Sequence, residues 1–204
     1  MEKQRKRKVI VIVALLVIIM GVSVAYAAMS TTLNINGTAN VVPATWDIHF
    51  ENLAPAVTTG DATDTKDGVP VPTISDDTLT ISDFDVTLTK PGDSVVYTFD
   101  IVNNGTLDAK LSTLTMPLTT ALTYVGNNAD ATQKAADEAI VKSNLEYTLT
   151  YAGGTAIVPG TDELAHGATA SMVLTISYPL TASTIPLSDV QISGMNIQFV
   201  YDQI

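Results

Sequence analysis

The chain contains no cysteine in 204 residues. Disulfides, thiol nucleophiles and thiolate metal sites are therefore excluded, and the fold is held by packing and hydrogen bonds alone. Histidine is almost as scarce, with only His49 and His166. A hydrolytic zinc centre needs several imidazoles or carboxylates converging on one ion beside a general base, and neither histidine stands in an H-E-x-x-H pattern. The G-x-S-x-G elbow of serine hydrolases and the glycine-rich phosphate loops are also missing. A non-enzymatic protein is expected, and no cofactor is implied.

Arginine occurs only at Arg5 and Arg7, next to Lys3, Lys6 and Lys8. After residue 27 the chain keeps five Lys against 20 Asp and Glu, a net charge of −15. Nucleic-acid phosphates and anionic lipid both need basic partners, so neither is an expected ligand of this body. Close packing of copies calls for protons, salt or cations to screen the repulsion.

The basic head is followed by an uncharged apolar run over 9–20 and then by Ala25-Tyr26-Ala27-Ala28. A cationic end, an apolar stretch and small residues before a cut are the parts of a secretory signal peptide. Residues 1–27 are read as that leader, with Ala25 and Ala27 in the small-residue subsites of a signal peptidase and Ala28 as the new N-terminus. The competing reading is an uncleaved anchor over 9–28, which would be the chain's one contact with a membrane. Both readings put the remainder outside the cytoplasm.

Period-two alternation recurs through the rest of the chain. Trp46, Ile48 and Phe50 alternate with Asp47, His49 and Glu51, placing Trp46 in the core and His49 toward solvent. Phe84, Val86 and Leu88 make a second apolar face; Val95, Tyr97, Phe99 and Ile101 a third; Leu145, Tyr147, Leu149 and Tyr151 a fourth. Ala170, Met172, Leu174, Ile176 and Tyr178 share a side, as do Met195, Ile197, Phe199 and Tyr201. With Leu33 and Ile35, Leu79 and Ile81, and 107–111, about nine strands are expected. Lys90-Pro91-Gly92-Asp93 suits a type II turn, and Asn103-Asn104-Gly105-Thr106 suits a tight hairpin.

Strands with one polar face and short turns predict an all-β, antiparallel β-sandwich over 43–204. Residues 54–77, rich in Pro, Thr and Asp, are expected as a long exposed loop. Residues 129–142 have helix-favouring composition and predict one short helix across an end of the sandwich. Asp61, Asp64 and Asp67 are closely spaced oxygen donors that calcium could use, although the one-three-five spacing of an EF-type loop is not met. A solvated acidic loop is the competing reading. The triplets at Asn36 and Asn104 fit glycosylation, but each is read as a turn.

The Ala-Tyr-Ala site, followed by Ser30-Thr31-Thr32-Leu33-Asn34-Ile35-Asn36-Gly37-Thr38-Ala39, resembles the opening of the TasA and camelysin family of Gram-positive surface and biofilm-matrix proteins. The stretch from Leu88-Thr89-Lys90-Pro91-Gly92-Asp93 through Asn103-Asn104-Gly105-Thr106-Leu107-Asp108-Ala109 is similar to that family's Pro-Gly-Asp strand and hairpin. The likeness covers roughly the first 110 residues. It implies an exported fibre subunit with a jelly-roll sandwich, whose N-terminal strand is lent to the next copy. On that view residues 28–42 are the donor strand, with Leu33 and Ile35 filling a neighbour's groove and Asn34 and Asn36 facing out. Alternatively the segment is the first strand of its own sheet, or the whole is a membrane-anchored monomeric adhesive or ligand-binding module. Family members have been described as metallopeptidases, an activity for which these residues offer no site.

Overall fold

The structure, a computed structural model, describes residues 2–28, 41–66, 69–70 and 72–204. The chain divides into two compact units, 1–42 and 43–204. The donor-strand residues Leu33 and Ile35, and Asp67 of the acidic segment, lie outside the described residues.

The first unit contains helix α1 (Glu2–Ala28). Its large apolar side chains between Val9 and Met20 are 53 to 66% exposed. Among the described residues no helix is long and apolar enough to cross a membrane.

The second unit is mostly antiparallel strand. In chain order it runs β1 (Ile48–Glu51), β2 (Val57–Thr59), β3 (Thr63–Lys66), β4 (Val69–Pro70), β5 (Thr73–Ile74), β6 (Ile81–Ser82) and β7 (Val86–Thr87). Two long strands follow, β8 (Ser94–Asn103) and β9 (Ala109–Thr115), then β10 (Thr123–Gly126) and helix α2 (Ala131–Asn144). The remainder is β11 (Glu146–Tyr151), β12 (Glu163–Leu164), β13 (Thr169–Ser177), β14 (Val190–Ser193) and β15 (Gln198–Gln203).

The largest sheet has the order β1-β8-β13-β11, with β2 also pairing β8. Its register lines up the alternating residues in rows: Val95 opposite Ile176 opposite Tyr147, and Tyr97 opposite Leu174 opposite Leu149. All six are buried. Because side chains alternate between faces with a period of two, one register puts the whole apolar set on one side. That side shares a core with Ala109, Leu111 and Leu164 of the β12-β9-β15 sheet, and Tyr124, Ile192 and Phe199 pack against it. Phe50 closes edge-on against Phe99 at 5.6 Å and against Phe199 at 6.2 Å. The fold class is all-β, as the alternation predicts.

Several details differ from expectation. Residues 54–77 are not one exposed loop: they form β2 to β5, and Ala62 and Asp64 are buried. Composition misleads here because Asp64 turns inward, where the Tyr97 hydroxyl donates to it at 2.6 Å. Trp46 is 46% exposed, since it precedes the ladder that opens with Ile48 opposite Asn103. His49 is not on an open polar face: its ring, 11% exposed, lies between Asp47 at 2.8 Å and Glu51 at 2.9 Å. Leu79, expected in a strand with Ile81, precedes β6 and is 59% exposed.

The Asn-Gly segment makes no hairpin, because β8 and β9 belong to different sheets. Instead the buried Asn103 side chain braces the crossover, donating to the Leu107 and Leu164 carbonyls at 2.9 Å each and accepting from the Gly105 amide. Gly105 is required by crowding, as a Cβ there would stand 2.7 Å from the Thr45 carbonyl oxygen. The Pro-Gly-Asp turn does form: Gly92 has φ +97° and the Asp93 amide donates to the Lys90 carbonyl. Helix α2 starts from Asp130, whose carboxylate accepts from the Thr132 and Gln133 amides at 2.9 Å. It packs chiefly on β10 and β14.

A groove between two strand edges

One cavity of about 680 Å³ opens in the second unit. Its first wall is the consecutive run 83–89 and its second is 186–192 with Met195. Ile176 and Tyr178 form its floor, and Val141 and Leu145 at the end of α2 contribute to the lining. Among the described residues β7 has a ladder partner in β3 only, and β14 in β10 only. The cavity thus lies between β7 and β14; Ile176 and Tyr178 in its lining are buried, and the Thr89 and Leu187 amides and the Asp189 carbonyl are already bonded to Asp93, Asp137 and the Asn127 amide.

Each wall is fixed by a buried carboxylate. On the β7 side, Asp64 pairs with Val86 through the backbone while its side chain accepts from Tyr97, and the Phe84 ring stands edge-on to Tyr97 at 4.9 Å. Burial raises the Asp64 carboxyl above its ordinary value, against the lowering effect of the Tyr97 hydroxyl. The turn just beyond is tied by Asp93, which accepts from the amides of Asp61, Thr89 and Lys90 and from the Thr89 hydroxyl. Burial pushes the Asp93 carboxyl up, but the Asp61 amide and the Thr89 and Lys90 donors prevail and hold it at about 2. On the β14 side, Asp137 of α2 is completely buried and accepts from the Ser188 hydroxyl at 2.7 Å, the Leu187 amide at 2.9 Å and the Gln133 amide nitrogen at 2.8 Å. The Ser188 hydroxyl, followed by the Leu187 amide, holds its carboxyl down to about 2.

The residues singled out in the sequence are placed as follows. Asp61 pairs with the Lys90 ammonium, whereas Asp64 is buried against Tyr97, so the two calcium candidates that are described serve different partners. Among the described residues no group of three or more His, Asp and Glu converges as a metal site. His49 is clamped by its strand neighbours, and the His166 ring contacts the Gly105 carbonyl, 61 positions away in sequence. Ala25, Ala27 and Ala28 fall in the last turns of α1.

Sequence reasoning recognised Phe84, Val86 and Leu88 as one apolar face and Met195 as part of another, but not that a space separates them. The available signal was the shortness of these runs, too short for each to be covered by a single partner. Asp137, unremarkable in a helix of mixed composition, was missed altogether. Compared with family models, curated proteins and solved structures, the chain finds no match in any of the three.

Proposed function

We propose that this protein is an exported structural subunit of the cell surface or extracellular matrix, similar in kind to the TasA and camelysin proteins, that polymerises by donating a strand. In this reading a signal peptidase cuts after Ala27, residues 28–42 leave their own copy, and they enter the groove between β7 and β14 of the next. The incoming strand completes a jelly-roll sandwich. Leu33 and Ile35 would fill that groove, while Asn34 and Asn36 would face out.

The observation that supports this most is that β7 and β14, each with one ladder partner among the described residues, line one cavity. An exposed edge is a template for another chain, and natural folds ordinarily blunt or cover it. A strand entering this space could pair with β7 or with β14, each of which has one ladder partner among the described residues. Its partner on this reading is a further copy of the same chain.

The absence of cysteine makes the test clean. Chains carrying Ile35→Cys are mixed with chains carrying Val190→Cys under oxidising conditions, with Val158→Cys, outside the groove, as control. An intermolecular disulfide at 35–190 and none at 35–158 is expected. Equal cross-linking at both positions, or none at either, overturns strand donation. Deleting 28–40 should in addition leave a folded monomer by circular dichroism and gel filtration.

A further inference from the structure

Beyond β13 the chain passes through 179–188, which holds no ionisable side chain. Leu180 is 83% exposed, Leu187 75% and Ile185 49%. The backbone beneath them is nevertheless well tied. The Tyr178 hydroxyl donates to the Thr184 carbonyl at 2.7 Å, and Ala182 is buried with its amide on the Pro179 carbonyl. Leu187 and Ser188 are held by the buried carboxylate of Asp137. Leu180 lies across the Pro-Gly-Asp turn, its Cδ2 2.9 Å from where a Cβ on Gly92 would stand. Large apolar side chains held outward on a braced segment mark a contact surface, because a fixed presentation lowers the entropy lost on binding.

We infer that 179–187 is the surface on which the body of a second copy seats, the same copy whose strand occupies the groove. The inference rests on the strand-donation reading and adds a second contact to it. Continuity points to that occupant: Pro186, Leu187 and Ser188 line the groove as well as belonging to this segment. A donated segment 28–42 runs directly into residue 43 of its own body, so that body is delivered to the rim of the groove. Charge points the same way. With 20 carboxylates against five Lys after residue 27, two copies approach with least repulsion where the facing surface carries no carboxylate.

The test uses the full chain with Leu180→Asp or Ile185→Asp, neither of which lines the groove, and Leu180→Ser as a milder variant. Three quantities are read: self-association by analytical ultracentrifugation, uptake of a fluorescent peptide of sequence 28–42 by anisotropy, and binding to phosphatidylcholine vesicles. Self-association weakened about tenfold or more with peptide uptake unchanged is the expected result. Unchanged self-association in all three variants overturns the inference. So does a loss confined to binding of phosphatidylcholine vesicles, which would make the segment a lipid contact. If the unsubstituted chain takes up no peptide, strand donation itself fails and the inference falls with it.

Discussion

The β8-β13 ladder and the strands that face it across the core are built from similar residues but to different completeness. In the ladder, nine consecutive residue pairs from Ser94 opposite Ser177 to Val102 opposite Thr169 are in register without interruption. Across the core the sheets are short: β12-β9-β15 contains a register shift between Val200 and Tyr201, β10-β14 has four pairs, and β3-β7 has two. The long ladder buries its alternating side chains completely, whereas Val86 and Ile192 are only half-buried. Length of pairing thus separates the long ladder from the shorter sheets that face it.

Substitutions that delete the same amount of side chain should measure that difference. Leu174→Ala, in the middle of the ladder and 2% exposed, is expected to cost about 2–5 kcal/mol in urea unfolding. Ile192→Ala, on the groove wall, should cost roughly 1 kcal/mol, because a half-buried side chain loses less transfer free energy and leaves no closed cavity. Equal losses would show that the facing strands are as tightly packed as the ladder.

A smaller effect distinguishes the two buried carboxylates near β7. Asp93 is held at about 2, below its ordinary 3.8, so its stabilising contribution is full above 3.8 and disappears as pH falls toward 2. Asp64 is raised above 3.8, so its contribution is full below that value and disappears as pH climbs through the raised one. Melting temperatures between pH 2 and 6 should therefore lose part of their acid-side fall in Asp93→Asn. In Asp64→Asn they should lose an opposite slope. Slopes of the same sign in the two variants would contradict the opposed environments.

The smallest expected effect belongs to β1. The Glu51 carboxylate, helped by Asp47 and opposed by burial, raises the His49 imidazole above 6.5. Its contribution is full below 6.5 and is lost as pH rises through the raised value, so His49→Gln should flatten a shallow decline in stability on the alkaline side. A decline of unchanged slope would assign it to other groups.

The ladder was legible in the sequence because Val95, Tyr97, Phe99 and Ile101 form an unbroken period-two face matched in length by Ala170 to Tyr178. Periodicity reports burial on one face and nothing about the partner, so Asn103-Asn104-Gly105 read as a hairpin although the chain crosses to another sheet there. Residues 54–77 were misread because aspartate ordinarily marks solvent, and only a distant tyrosine hydroxyl makes Asp64 an inward residue. Of the groove, the apolar residues were visible but the gap was not. A space between β7 and β14 depends on how the short sheets are placed around the core, and that is a property of the assembled topology.

The walls of the groove come from parts of the chain roughly a hundred residues apart, and contacts of such separation close late in folding. Under strand donation this sets an order of events within each molecule. The donating end would be freed by the cut after Ala27, while the receiving end would form only once β14 has docked. Growth of a polymer would then have a direction in time built into the chain itself, each newcomer giving before it is able to receive.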